Sequence, residues 1–247
     1  MDYRVTHVYE NGLPTEYSRY EGEKLLMFRG TYRYDSHGKK IEQCLYQGTG
    51  LLERRDCYEY NKNGKETLHV NYSSDGHVNY RGVSKYDQYG NLTEYNRYKS
   101  DNTLDYKDLR KYNNIGKEVE YSLFDGNGNM TERTTYRYEN NGGLSETHFE
   151  RLSINTHKEM EEFHRFDKRG NLIEDSRYDS GELTSKYTYT FDKDGNLLEE
   201  TKYEKDELNE RYTYSYDIIG NKIEQKHYSG NGVLKLYRKS VITYFGE

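Results

Sequence analysis

The feature that most constrains the fold is a glycine that recurs nine times along the chain of 247 residues. Successive glycines are 26 residues apart five times, and then 28, 25 and 25 residues apart. Eight of the nine follow an aromatic residue by four positions, and eight precede another aromatic residue by eight positions. Such columns indicate a repeat protein, in which each repeat is one small supersecondary unit. The glycines are Gly12, Gly38, Gly64, Gly90, Gly116, Gly142, Gly170, Gly195 and Gly220.

Each repeat contains a second turn about half a period further on, for example at Asp75-Gly76 and Ser180-Gly181. The intervening segments are long enough for strands of about eight residues and alternate in character, as Tyr187, Thr188 and Tyr189 do. Connections this short join antiparallel neighbours. The sequence therefore predicts an all-β fold, a single repeat domain over residues 1–247 made of nine two-strand units. We expect a meander of about 18 strands in one open sheet that is twisted and curled.

Composition supports strands over helices. The chain has no alanine, which is the best helix former, and it has 30 tyrosines. Only 32% of the residues are hydrophobic, and tyrosine makes up a large share of them. Any core must therefore be built largely from tyrosine rings, whose hydroxyls need hydrogen-bond partners.

The first turn of each repeat has a physical explanation in its sequence. Tyr-Asp-x-x-Gly-Asn fits a type I turn followed by a left-handed glycine and a bulge, with the aspartate bonded to the turn backbone. At Tyr86-Asp87-x-x-Gly90-Asn91-Leu92, Phe166-Asp167-x-x-Gly170-Asn171-Leu172 and Tyr216-Asp217-x-x-Gly220-Asn221, the chain resembles the RHS or YD-repeat family.

That resemblance covers nearly the whole chain. It implies a long, curling β-sheet that acts as a scaffold, shell or adhesive surface, and it implies no catalytic residues within the repeats. A looser similarity connects the chain to MORN-like antitoxin repeats, which are also rich in tyrosine and glycine.

One unit is irregular. The unit over residues 142–166 is two residues longer than most, has Glu150 where an aromatic residue is expected, and contains a polar run from Asn155 to Glu162. We expect a bulge, a longer loop or a short helix there, and this is where a seam between domains would fall.

Charge argues against several classes of partner. The chain has 37 basic and 43 acidic residues, a net charge of −6, and no basic block. We therefore expect no nucleic-acid binding. No stretch approaches the length of a transmembrane helix, so we also expect no membrane insertion. The N-terminus lacks the apolar segment of a signal peptide, which indicates a cytoplasmic protein or a mature or excised part of an envelope or secreted protein.

A carboxylate stands four positions after eight of the nine glycines. A residue that recurs in every unit solves a problem of every unit, so we interpret the column as a structural hydrogen-bond ladder. Its expected partners lie six positions before each glycine, where every residue can donate a hydrogen bond, as Tyr32 and Tyr58 can. The alternative is a glycoside hydrolase that uses two of these carboxylates. The column is Glu16, Glu42, Glu94, Glu120, Glu146, Glu174, Glu199 and Glu224.

Other patterns for chemistry are weak. Asp192-Lys193-Asp194-Gly195-Asn196 resembles part of a calcium loop but lacks the remaining ligands, so a turn is expected there. The eight histidines show no zinc spacing, and no nucleophile or phosphate-loop motif occurs. Cys44 and Cys57 are expected to be four residues out of register and therefore free thiols. The sequence predicts no catalytic residue, no cofactor and no metal.

A tyrosine-rich surface remains as the candidate for binding. Its residues are Tyr187, Tyr189, Tyr203, Tyr212, Tyr214 and Tyr228. We expect a non-enzymatic scaffold or interaction module of a bacterial envelope- or toxin-associated protein. The alternative is a carbohydrate-binding module that uses the tyrosines. We expect the partner of the chain to be a protein or a glycan, and exposed sheet edges also allow self-association.

Overall fold

The structure, a computed structural model, describes residues 3–22, 24–153 and 157–242. These residues form nineteen strands of one antiparallel sheet and contain no helix. In chain order, β1 to β19 span Tyr3–Glu10, Leu13–Glu21, Leu25–Tyr34, Lys40–Gln47, Leu52–Tyr60, Glu66–Ser73, Val78–Tyr86, Leu92–Lys99, Leu104–Tyr112, Glu118–Asp125, Met130–Tyr138, Leu144–Leu152, Lys158–Phe166, Leu172–Asp179, Glu182–Phe191, Leu197–Glu204, Glu207–Tyr216, Lys222–Ser229 and Leu234–Lys239.

The predicted fold class, an antiparallel meander, is confirmed, with one strand more than the expected 18. The chain divides into two compact units, Met1–Gly116 with Leu123–Asn129, and Lys117–Ser122 with Met130–Glu247. Strands β1 to β9 of the first unit pair in sequence order, and so do β11 to β19 of the second. The organisation as a single repeat domain stays a prediction.

The Asp-x-x-Gly-Asn turns are held by a double clamp. Asp87 Oδ1 accepts hydrogen bonds from the backbone N–H groups of Tyr89 and Asn91, both at 2.9 Å, and its Oδ2 accepts one from Asn91 Nδ2 at 2.9 Å. Gly90 has a φ of 86°, which favours glycine. The Asn91 side chain, foremost, lowers the pKa of Asp87. The same clamp joins Asp125 to Asn129, Asp167 to Asn171, Asp192 to Asn196, and Asp217 to Asn221.

Tyrosines of the aromatic column before the glycine link their hairpin to the previous one. The Tyr60 hydroxyl donates to the carbonyl oxygen of Lys40, twenty residues earlier, at 2.7 Å. This bond accounts for tyrosine rather than phenylalanine in the column, because the hydroxyl reaches a backbone acceptor of the neighbouring hairpin. Equivalent bonds join Tyr34 to Pro14, Tyr86 to Glu66, Tyr112 to Leu92, and Tyr138 to Glu118.

We expect Tyr60→Phe to lower the free energy of unfolding by about 1 kcal/mol, because the Lys40 carbonyl loses its side-chain donor. Tyr89→Phe is the matched control, since Tyr89 is 82% exposed in a turn. Urea unfolding of both variants, followed by circular dichroism, measures the difference. Equal stabilities of the two variants would show that the hydroxyl link contributes nothing.

The second aromatic column pairs with cations across the strands. The Arg55 guanidinium carbon lies 4.3 Å from the centre of the Tyr72 ring, directly opposite in the register. Such cation–π contacts stabilise exposed sites by about 0.5–1 kcal/mol. The same contact joins Arg29 to Tyr46, Arg81 to Tyr98, Lys107 to Phe124, and Arg211 to Tyr228.

The irregular unit keeps the sheet but changes this contact. Its two extra residues lengthen β12, so that Leu152 occupies the place next to the second turn and pairs with Lys158. Because side chains alternate along a strand, an insertion of two residues preserves which side chains share a face. Glu150 still lies opposite Arg133, and an ion pair of 3.4 Å replaces the cation–π contact. From Lys158 onward the polar run is strand rather than helix, and residues 154–156 lie outside the described residues.

The sheet is poor in buried apolar side chains. Among the described residues, only Cys44 and Val70 are buried and hydrophobic. The other buried side chains are polar and lie in the middle of the strands: Ser18, Asp56, Asn71, Asn96, Asp108, Ser122, Glu150, Ser176 and Thr201. Cross-strand polar and aromatic pairs therefore provide much of the contact that an apolar core provides elsewhere.

The two cysteines are free, as predicted, but the expected register was wrong. Tyr46 pairs with Leu52, so Cys44 lies opposite Arg55 and Cys57 lies opposite Glu42. The thiols are therefore two residues out of register rather than four.

Candidate functional site

The tyrosines proposed as a ligand surface lie on β15 to β18, and four of them share one face. Tyr189 on β15 and Tyr212 on β17 both lie opposite Glu200 of the intervening strand β16, so their side chains are on the same side. Residues two positions away along a strand share that side. We call this set the aromatic patch: Tyr187, Tyr189, Tyr212 and Tyr214.

The other two tyrosines lie on the opposite face. Tyr203 pairs with Lys186, and Tyr228 pairs with Arg211, whose guanidinium carbon is 4.6 Å from the Tyr228 ring centre. Tyr228 thus belongs to the cation–aromatic column. The structure therefore does not bring the six sequence-selected tyrosines together as one surface.

Polar contacts organise the aromatic patch. The Tyr212 hydroxyl donates to Glu210 Oε2 at 3.0 Å, and the Tyr214 hydroxyl donates to Glu200 Oε2 at 3.4 Å. The Tyr212 ring stacks on His227 with 4.3 Å between the ring centres and 6° between the planes. The four rings are half-buried. The patch is thus an amphipathic surface of aromatic rings beside carboxylates.

Several half-buried tyrosines should make the free energy of unfolding depend on pH in the alkaline range. Burial, foremost, raises the pKa of Tyr58, Tyr95 and Tyr214 to about 12, from an ordinary value of 10.0. Between these values the unfolded chain releases tyrosine protons that the folded chain retains. We therefore expect the free energy of unfolding to fall as the pH rises from about 10 through about 12.

Urea unfolding at pH 8, 10 and 11 measures this decline, and Tyr95→Phe should weaken the pH dependence because one raised pKa is removed. A stability that stays constant up to pH 11 would contradict the expectation.

The glutamate column lies opposite other residues than expected, because the predicted register was wrong by one residue. For six of the glutamates, the opposite residue stands five positions before the glycine rather than six, because a bulge lies between the pair and the turn; these are Glu42, Glu94, Glu146, Glu174, Glu199 and Glu224. Glu16 lies opposite Val8, four positions before its glycine. Glu42 pairs with Arg33, and Tyr32 lies on the other face opposite Gln43. The expected tyrosine donors are therefore replaced mainly by basic side chains.

Ion pairs across the strands join several of these glutamates to the basic residues opposite them. The shortest N–O distances are 3.4 Å for Arg33 and Glu42, 3.0 Å for Lys85 and Glu94, 3.0 Å for Arg137 and Glu146, and 3.2 Å for Arg165 and Glu174. In the unit that lacks the glutamate, Leu68 lies opposite Glu59, so two carboxylates do not face each other. Glu199 and Glu224 lie opposite Thr190 and Ser215.

The calcium-like segment is a turn, as expected. Asp192 Oδ1 accepts hydrogen bonds from the backbone N–H groups of Asp194 and Asn196, and its Oδ2 accepts one from Asn196 Nδ2 at 2.9 Å. Both carboxylate oxygens of Asp192 are therefore engaged within the turn.

Sequence reasoning missed one cluster in the irregular unit, formed by His148, Glu150 and Glu161. His148 Nε2 lies 3.0 Å from Glu161 Oε1 and 3.8 Å from Glu150 Oε1. The sequence held a signal, because each residue departs from its column: His148 from small residues, Glu150 from aromatic residues and Glu161 from basic residues.

Comparisons with known proteins assign no role to the chain. A family model described only as an uncharacterised protein matches residues 122–243. No curated protein sequence matches the chain. Among the residues that the structure describes, no helix has the length and apolar character required to cross a bilayer.

Solved structures resemble the chain only distantly. A crystal structure of TcdB2-TccC3-TEV is 10% identical with a TM-score of 0.26, and the match covers 92% of this chain but 17% of that one. A porin-like protein from Bacteroides uniformis is 12% identical with a TM-score of 0.33, with 90% of this chain and 91% of that one covered. A second TcdB2-TccC3 structure has a TM-score of 0.22 and 11% identity, with coverage of 96% and 18%. Scores this low carry no argument about function.

Proposed function

We propose that the chain is a non-enzymatic repeat module that acts as a scaffold and presents a surface to another protein. The supporting observation is that its reactive groups serve the repeat itself. Glu94 pairs with Lys85 at 3.0 Å, the Tyr60 hydroxyl bonds the Lys40 carbonyl, and Asp87 clamps its own turn. An active site is needed once in a domain, whereas these contacts recur in successive repeats. The RHS-like turn motif suggests the same role, in a bacterial envelope- or toxin-associated protein.

The aromatic patch is the surface that we assign to the partner. Tyrosines are enriched in protein interfaces because they offer a large, stiff contact area with a polar end. Glu200 and Glu210 lie beside the rings, and Lys202 lies opposite Tyr187, so both charge signs are available for orientation. A half-buried ring loses little conformational freedom when a partner covers it.

Site-specific photo-crosslinking tests this role. A photoreactive amino acid at Tyr189 should crosslink one protein reproducibly in the native host, whereas the same group at Tyr228, on the opposite face, should not. Tyr212→Ala should reduce the crosslinking yield from Tyr189 without changing the circular dichroism of the chain. Equal crosslinking from both faces would contradict the assigned surface.

A glycan array distinguishes the carbohydrate alternative, which the tyrosine rings beside Glu200 and Glu210 favour chemically. Binding to a defined glycan that is lost in Tyr189→Ala and Tyr214→Ala, with folding retained, would replace the protein partner in this proposal.

Hydrolysis by the glutamate column receives no support from its electrostatics. The pKa of Glu94 is lowered, chiefly by a hydrogen bond from Asn96. The pKa of Glu224 is lowered, chiefly by a hydrogen bond from Lys226. A general acid needs the reverse shift. If Glu199→Gln or Glu224→Gln abolished an activity on a glycoside panel, the non-enzymatic proposal would be wrong.

A further inference from the structure

At the irregular unit over residues 142–166, three positions of the repeat carry residue types that differ from those of the other repeats. His148 stands in a column that elsewhere holds mainly small residues such as Ser176, Glu150 replaces an aromatic residue, and Glu161 replaces a basic one. The register brings them together, because Glu150 lies opposite Glu161 and His148 lies opposite Phe163. The change removes a cation–aromatic contact and gathers an imidazole and two carboxylates on one face.

The potential ligand atoms of this cluster converge. His148 Nε2, a Glu150 oxygen and a Glu161 oxygen all lie within 4.8 Å of one another. Metal–ligand bonds of about 2.0–2.2 Å in a tetrahedral zinc site place ligand atoms roughly 3.4 Å apart. The distances from His148 Nε2, 3.0 Å to Glu161 and 3.8 Å to Glu150, bracket that value.

A cation already occupies the point of convergence. Lys158 Nζ lies 2.6 Å from Glu150 Oε1 and 2.7 Å from Glu161 Oε1, the same two oxygens that face the imidazole. Its side chain is 47% exposed, so the ammonium can move into solvent without leaving a buried charge. Arg133, at 3.4 Å, contacts the other oxygen of Glu150 and does not share this point.

The cluster is held in place by its surroundings. The Glu150 side chain is 7% exposed, and those of Glu161 and His148 are 14% and 18% exposed. His148 stacks on Phe163 with 4.0 Å between ring centres and 11° between planes, which fixes the direction of the imidazole. Paired strands carry all three ligands, so little ordering is needed for a metal to bind.

We propose that His148, Glu150 and Glu161 bind a divalent transition metal, with zinc as the reference ion, and that Lys158 is the tethered cation that the metal displaces. An imidazole with two carboxylates suits zinc and other first-row divalent transition metals better than calcium, which takes oxygen ligands. Three protein ligands leave a coordination position for water or for a partner's side chain.

Isothermal titration of the metal-free full chain with zinc chloride tests the site, and cobalt(II) absorption reports the ligand geometry. We expect one zinc ion per chain and at least about tenfold weaker binding in His148→Ala and Glu161→Gln. Lys158→Met should bind more tightly than the wild type, because the competing ammonium is removed. A purely structural ion-pair cluster would not give that increase.

His164→Ala is the matched control, because His164 stands three positions after Glu161 on β13 and faces the other side, opposite Thr147 and Asp175. It should leave zinc binding unchanged, and circular dichroism verifies the fold of every variant. The proposal is wrong if neither the wild type nor Lys158→Met binds zinc more tightly than His148→Ala does.

Discussion

Asp56→Ala is expected to lower the free energy of unfolding by about 3 kcal/mol, because the buried Asn71 amide and the half-buried His69 ring lose their acceptor. Asp56 is 5% exposed, and its Oδ1 accepts from Asn71 Nδ2 at 2.7 Å and lies 2.9 Å from His69 Nε2. Its Oδ2 lies 3.2 Å from Arg54 Nε. Urea unfolding followed by circular dichroism measures the loss.

Two variants define what the Asp56 experiment means. Asp56→Asn keeps one acceptor oxygen and should be less destabilised than Asp56→Ala. Asp194→Ala removes an exposed aspartate from a turn and should change stability little. If Asp56→Ala cost no more than Asp194→Ala, the buried network would not contribute to stability.

Gly48→Ala is expected to cost about 2–3 kcal/mol, because an added Cβ would lie 1.9 Å from the carbonyl oxygen of Leu26 in a neighbouring hairpin. Backbone atoms cannot move aside as a flexible side chain can. Gly230 is in the same situation, with a Cβ position 1.8 Å from the carbonyl oxygen of Leu208. Thermal and urea unfolding of both alanine variants give the measurement.

Ser74→Ala is the matched control for Gly48, since Ser74 occupies the equivalent turn position of the next repeat and already has a Cβ. We expect Ser74→Ala to be nearly neutral. A near-neutral Gly48→Ala would mean that adjacent hairpins separate easily at this point.

The repeat made the fold predictable from sequence. Turn residues such as Gly90 and Asp87 strongly prefer turn conformations, and nine repeats made the pattern visible although single repeats depart from it. The register was less accessible, because the bulge in each hairpin pairs Arg33 with Glu42 and moves Tyr32 to the other face. A shift of one residue exchanges the faces of every side chain, so the expected partners of the glutamates were wrong.

The site was predictable only in part for a related reason. Tyr187 and Tyr189 were selected with Tyr203 because all are aromatic, but alternation along the strands separates them by face. The contact between Glu150 and Glu161 depends on the insertion in β12, whose position within the unit cannot be read from spacing alone.

The tyrosine hydroxyl links also determine how local unfolding spreads. Where a hydroxyl joins one hairpin to the previous one, as at Tyr138, opening of either hairpin breaks a bond of the other, and neighbours are coupled as in a one-dimensional chain. Phe166 and Phe191 have no hydroxyl, so this coupling is missing at two successive junctions between hairpins of the second compact unit. Amide hydrogen exchange should therefore show smaller segments that open cooperatively there than in the first compact unit. In the first compact unit, Tyr34, Tyr60 and Tyr86 join successive hairpins.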